Sequence, residues 1–156
     1  MKLVLVRHGE AENNRGSDAE RALTEAGRRQ AAGTGRWLAG IFEGAVPVCL
    51  LVSPYRRARE TAEVIGRFLG TESVEVAEIT PDHDPRVALS AIAEVAAGYE
   101  FVVVVTHMPL VSALASWMES GVLSSAQAFA LAEARLFEVP VLAASAASEK
   151  YRYAPG

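Results

Sequence analysis

Arg7-His8-Gly9 directly follows the apolar run Leu3-Val4-Leu5-Val6, which puts a guanidinium and an imidazole at the end of a strand-like segment. Two further runs end in groups of the same kind. Val48 to Val52 leads into Ser53-Pro54-Tyr55-Arg56-Arg57-Ala58, and Phe101 to Val105 leads into Thr106-His107-Met108-Pro109. Phosphoryl transfer through a covalent intermediate needs an in-line nucleophile, fixed positive charge around the equatorial oxygens and help for the leaving group. His8 is the candidate nucleophile. Arg7 and Arg57 offer planar forks that match phosphate oxygens, and His107 is a candidate donor where charge accumulates in the transition state. Gly9 removes a side chain where the backbone must come close. Arg56 and Arg59 point away from Arg57 on a helix and read as solvated surface charges. A single histidine is most often structural; the weight here comes from two of the three histidines each ending an apolar run.

The elements that must hold these groups follow from pattern. Val-rich runs at 3–6, 48–52 and 101–105, with a weaker one at 74–79, are bounded by turn or cap residues and read as buried strands. Helical stretches alternate with them. The first has Thr24 as N-cap and runs toward Gly40, and the second has Ser53 as cap with Pro54 at its first position and runs to Leu69-Gly70. The third covers Pro85 to about Ala97 and closes at Gly98, and the fourth starts at Pro109 with Leu110, Leu114 and Trp117 on one face. The alternation predicts an α/β fold in three layers, α/β/α, with a mostly parallel sheet and helices on both faces. Ligands of such sheets bind outside the carboxyl ends of the strands, so the three polar ends can converge on one site. Phe129 to Val139 predicts one or two strands broken near Ala134-Arg135, and Lys150 to Tyr153 a short edge strand, together an antiparallel edge addition. Ala143 to Ala147 is open between a loop and a helical turn.

At 156 residues the chain suits one domain, 1–156, with a sizeable core. Hydrophobic residues at 51% and charged ones at 22% are ordinary globular usage and exclude a disordered chain. A net charge of −4, and an arginine cluster at 56, 57 and 59 without interleaved aromatics, argue against nucleic acid as a partner. The single cysteine, Cys49, lies in an apolar run with no partner for a disulfide or a thiolate metal site and reads as core. The four apolar residues before Arg7 fall short of the about seven to fifteen of a secretory signal, and no run approaches the ~18 of a membrane span. A cytoplasmic home without membrane contact is the expectation.

Taken together, Arg7-His8-Gly9-Glu10-Ala11, then Asp18-Ala19-Glu20-Arg21-Ala22-Leu23-Thr24 with Gly27, then SPYRRARET at 53–61 and THMPLV at 106–111, resemble the histidine phosphatase superfamily, the phosphoglycerate mutase-like proteins. The resemblance spans residue 1 to about 115, and the D..R.LT..G segment in so compact a chain looks most like the SixA-type phosphohistidine phosphatases. It implies a phosphoglycerate mutase-like fold, phosphorylation of His8, and Arg7, Arg57 and His107 in contact with the phosphoryl group. It also implies a site-facing role for Arg21, whose bland alternative is a helix-surface salt bridge. No cofactor is expected, and no metal site is evident in the sequence, since nothing in it picks out partners for Asp82, His83 and Asp84 as ligands.

The proton donor departs from the family pattern. Phosphomonoesterases and mutases of the superfamily generally use a glutamate after the third strand, where this chain reads Glu78-Ile79-Thr80-Pro81-Asp82-His83-Asp84-Pro85. Glu78, Asp82, His83 and Asp84 can each be proposed as acid, and none sits in the usual glutamate context. The TPxxD pattern singles out Asp84, whose alternative is to cap a helix beginning at Pro85. The gap bears on substrate. An imidazole, with a conjugate acid near ~6.5, leaves readily, while an alkoxide resembles hydroxide, with a parent acid near ~15.7. The expected activity is therefore metal-independent removal of phosphate from phosphohistidine on a signalling or phosphotransfer protein, through phospho-His8, with inorganic phosphate as product. A small-metabolite phosphomonoesterase of the same superfamily is the alternative, and a phosphoprotein-binding module without turnover is the alternative of a different class.

Overall fold

The Val-rich runs form the centre of a six-stranded sheet in the computed structural model, which describes residues 1–13, 16–42, 44 and 47–156. In chain order its strands are β1 (Lys2–Arg7), β2 (Val48–Val52), β3 (Ser73–Glu75), β4 (Phe101–Thr106), β5 (Ala134–Glu138) and β6 (Ser148–Tyr153). Their spatial order is β3-β2-β4-β1-β5-β6. The first four are mutually parallel; β5 runs antiparallel to β1, and β6 antiparallel to β5. Arg7 pairs with Thr106, and Val105 with Val52, so His8, Ser53 and His107 emerge level with one another at the carboxyl edge.

Side chains alternate across a strand, and here both faces are apolar. Leu3, Leu5, Leu51, Val102 and Val104 pack one face against Ala88, Leu89 and Ile92 of α3 (Pro85–Val95) and Leu110, Leu114 and Met118 of α4 (Leu110–Ser120). Val4, Val6, Leu50, Val52, Val103 and Val105 pack the other against Leu38 of α1 (Glu25–Ile41) and Ala58, Ala62 and Ile65 of α2 (Arg56–Leu69). The result is the three-layer α/β fold with helices on both faces. Cys49 is a free, buried thiol in this core.

Four local expectations are corrected. Helix α2 begins at Arg56 with Tyr55 as its cap residue, because the Ser53 hydroxyl is drawn elsewhere, and Pro54 lies outside the helix. The stretch 74–79 divides into the exposed strand β3 and a 3-10 turn, Ala77–Ile79, that tucks Ile79 into the core. Only Ala134–Glu138 of the 129–139 stretch is a strand; Phe129 is buried ahead of it, and Ala132 turns the chain with φ 57°. The strand near 150 begins earlier, at Ser148, and 143–147 is a loop with Ser145 at φ 57°. Among the described residues no helix is long and apolar enough to cross a membrane.

Candidate active site

His8 is placed by backbone on three sides. Its N–H donates to the Thr106 carbonyl, its own carbonyl accepts from Ala132 N–H, and the following Gly9 N–H donates to Thr61 Oγ1 at 3.1 Å. Thr61 lies one turn after Arg57 on α2 and donates its hydroxyl to the Arg57 carbonyl, so the His8-Gly9 backbone and Arg57 share one anchor. Gly9 meets Gly27 back to back: a Cβ on Gly9 would stand 2.7 Å from the Gly27 carbonyl oxygen, and one on Gly27 2.1 Å from that of Glu10. The close backbone approach expected at Gly9 is made to α1, whose Gly27 takes the space a side chain would need.

The His8 ring has its Nδ1 2.7 Å from the Gly9 carbonyl, which can only accept, so Nδ1 carries the proton and Nε2 keeps its lone pair. Arg57 Nε–H points at that lone pair from 3.3 Å. The His107 ring lies beside His8 with centroids 5.2 Å apart and is 1% exposed. His107 Nε2 is 2.6 Å from Ser53 Oγ, while its Nδ1 is buried without a partner among the described residues, as is Nε of Arg7. Arg7 is held by its Nη1 on the Phe129 carbonyl at 2.8 Å. Burial pushes His8 down to about 4, with further lowering by Arg57 and Arg7, against a raising effect of the Gly9 hydrogen bond. Burial pushes His107 down to about 2, helped by His8 and Arg57. Both imidazoles are therefore neutral at pH 7, and Nε2 of His8 keeps its lone pair. Desolvation and the neighbouring Arg57 also lower Arg7 from its ordinary value.

Arg7, His8, Arg21 and Arg57 line one cavity of about 310 Å³, joined by Glu10, Ala11, Met108 and Leu131, and His107 packs against His8. Arg21 lies outside any helix; its Nη1 pairs with Asp18 Oδ1 at 3.1 Å and its Nε with the Glu12 carbonyl. Arg56 and Arg59 are exposed and pair with Glu60 and Glu75. The proposed acids are not at the cavity. Asp84 caps α3 and pairs with Arg86, which holds its carboxyl down at about 2, the wrong direction for an acid. His83 bonds Thr80 and lines a separate groove with Pro81, Pro85 and Pro109, and Asp82 bonds Thr80 Oγ1. Glu78 is half-buried in the 3-10 turn 77–79, away from the cavity.

Sequence reasoning missed Ser53, Asp18 and Glu10 as site groups. Glu10 was visible as the neighbour of RHG, and Ser53 as the hydroxyl at the end of β2. The contacts of Asp18 with Arg57 cross 39 residues and leave no local trace.

An α/β sheet with a neutral imidazole and three guanidinium groups at its carboxyl edge defines a phosphoryl-binding class of protein. Comparison with known proteins makes the class specific. The profile of the Histidine phosphatase superfamily (branch 1) matches residues 3–80. A phosphohistidine phosphatase SixA homolog of Haemophilus influenzae is 34% identical, over 71% of this chain and 73% of its own. The phosphohistidine phosphatase SixA of Escherichia coli is 33% identical, over 73% of this chain and 71% of its own. The structure of the protein histidine phosphatase SixA complexed with tungstate superposes with a TM-score of 0.84 at 24% identity, over 99% of this chain and 97% of that one, a likeness of fold. The chain belongs to the histidine phosphatase superfamily.

Proposed function

We propose that this protein removes the phosphoryl group from phosphohistidine on a protein, through a covalent phospho-His8 intermediate. The observation that carries the reading is the His8 tautomer: Nδ1–H is tied to Gly9 and the Nε2 lone pair looks into a cavity lined by Arg7, Arg21 and Arg57. As the Nε2–P bond forms, the ring becomes cationic, and the Gly9 carbonyl is already in place to accept from its Nδ1–H. The P–N bond of the substrate breaks in the same step. A phosphohistidine protonated on its free ring nitrogen departs as neutral imidazole, so it needs no acid from the enzyme. Water then bonds phosphorus, the Nε2–P electron pair returns to His8, and dihydrogen phosphate leaves. Arg7, Arg57 and His107 Nδ1–H are the donors for the equatorial oxygens.

The two relatives named phosphohistidine phosphatase support this reading, as does the absence of the four proposed acids from the cavity lining. The steps use only side chains of this chain and call for no metal. The setting we propose is cytoplasmic, with residues 1–156 acting as one domain, since β1 and β6 belong to one sheet.

A second reading has one observation in its favour. Glu10 lines the cavity, and a carboxyl group there is where an alkoxide leaving group would find a proton. The test is kcat/KM in chelator for a phosphohistidine-bearing carrier beside a panel of alkyl phosphates, with His8→Ala as blank. A preference of about a hundredfold for phosphohistidine is the expected result, with acid-labile label trapped on His8. Comparable turnover of an alkyl phosphate that collapses in Glu10→Gln would establish the metabolite phosphatase instead. Tight phosphoprotein binding by His8→Ala, with no turnover by wild type, would leave a binding module.

A further inference from the structure

We infer that Asp18 is a positioning residue that aims the Arg57 guanidinium, holding its outer edge so that the inner edge faces His8 and the phosphoryl oxygens. A guanidinium has two usable edges, Nη1 with Nη2 and Nε with Nη2. Asp18 takes the first with both of its oxygen types: its carbonyl accepts from Nη1 at 2.7 Å and Oδ2 accepts from Nη2 at 3.2 Å. The second edge is turned to the nucleophile, with Nε–H 3.3 Å from His8 Nε2. The ring of Tyr55, with the Arg57 carbon 5.0 Å from its centroid, supports one face of the guanidinium.

The clamp has its own support. Oδ1 of the same carboxylate accepts from Arg21 Nη1, so each oxygen serves one of two arginines that line the cavity. Ser17 Oγ caps the 3-10 turn Asp18–Glu20 that carries the carboxylate, and the Asp18 carbonyl also accepts from Arg21 N–H. Arg21 first and then Arg57 hold the Asp18 carboxyl below the usual carboxylate range, so it is charged throughout the neutral range. The Asp18 side chain is 59% exposed and that of Arg57 5% exposed. Truncating Asp18 therefore removes little packing and acts on the direction of a buried cation.

The inference rests on the role proposed for Arg57 in gripping phosphate, so the experiment reads turnover and phosphate binding separately. Wild type, Asp18→Ala, Asp18→Asn, Arg57→Ala and the Asp18→Ala/Arg57→Ala double variant are compared by kcat/KM on a phosphohistidine-bearing carrier and by calorimetric binding of inorganic phosphate. Asp18→Ala should lower kcat/KM by about tenfold and weaken phosphate binding, and Asp18→Asn, which keeps an acceptor oxygen, should recover most of the loss. In the Arg57→Ala background the same change should add nothing, and the thermal midpoint should stay put. Tighter phosphate binding by Asp18→Ala would make Asp18 a rival anion and overturn the inference. An undiminished loss in the Arg57→Ala background, or an Asp18→Ala variant within twofold of wild type, would overturn it too. Wild type no faster than His8→Ala would instead remove the phosphatase reading, and the phosphate-binding comparison would still decide on Asp18.

Discussion

His107 can donate to a phosphoryl oxygen only if its proton sits on Nδ1, and Ser53 is the hydroxyl within reach of its other ring nitrogen. Ser53 Oγ accepts from Tyr55 N–H at 3.2 Å and lies 2.6 Å from His107 Nε2, so its own proton is free to go to that nitrogen. Nε2 then acts as acceptor and Nδ1 carries hydrogen. Ser53→Ala leaves Nε2 without its donor and frees the tautomer to reverse. The expected outcome is a loss of about tenfold in kcat, near 1.4 kcal/mol of barrier, with KM within about twofold of wild type, read from steady-state kinetics on phosphohistidine. An equal change in KM alone would mean that Ser53 shapes binding and leaves the proton alone. The same residue shows what the sequence conveys at this scale. Arg7, His8, Arg57 and His107 were legible because charged or nucleophilic side chains at or just after the ends of apolar runs have few other uses, whereas Arg21 was legible only through the D..R.LT..G resemblance. Ser53 was legible only as a helix cap, since a hydroxyl after a strand and before a proline fits that pattern, and its true partner lies 54 residues away. Asp84 shows the converse: the TPxxD pattern suggested an acid, and local geometry makes it a cap with its own arginine.

The first turn of α1 touches the loop after β1 with no side chain between them, directly beside His8. Thr24 caps the helix through its Oγ on Gly27 N–H, and Thr24 N–H donates to the Glu10 carbonyl. Gln30 Oε1 accepts from Glu10 N–H one turn further on. Gly27 is the residue that permits the approach, because a methyl group there would lie 2.1 Å from the Glu10 carbonyl oxygen, well inside contact. Gly27→Ala must push α1 and the 9–10 loop apart. An overpacking cost of about 1–3 kcal/mol in urea unfolding is expected, together with a fall in kcat greater than that of an alanine at the open position Gly40. Unchanged kcat in a destabilised Gly27→Ala would show that the helix supports the fold without positioning His8. Elements of this kind were legible in type and order because buried parallel strands are almost continuous apolar runs and the helices carry their caps in sequence. The misread boundaries share a cause: at 53–55, 76–79 and 129–133 tertiary partners compete with local preference. Ser53 is drawn to His107, Thr106 Oγ1 donates to the Ile79 carbonyl, and Arg7 holds the Phe129 carbonyl.

Across the whole molecule, the site gathers two buried imidazoles and the guanidinium groups of Arg7 and Arg57 in one corner, which sets a pH dependence of stability. His8 is lowered to about 4 and His107 to about 2, against an ordinary value near 6.5. Below pH 6.5 the unfolded chain takes up protons on these rings while the folded chain does not, so the unfolded state gains. Stability is thus fully present above pH 6.5 and is lost as the pH falls, down to about 4 for His8 and on toward 2 for His107. For His8 the whole window amounts to on the order of 3 kcal/mol, and the part down to pH 5 to about 2 kcal/mol. Urea unfolding of wild type at pH 7 and pH 5 should show the fall, and His8→Gln should fall by about 2 kcal/mol less over the same interval. Identical falls in the two proteins would mean that His8 titrates in the folded chain as it does in the unfolded one, so that burial does not depress it. An anion in the cavity changes the balance by favouring the charged rings. Saturating inorganic phosphate should therefore stabilise wild type at both pH values, by RT ln(1 + [L]/Kd), and flatten its pH dependence relative to a non-binding anion.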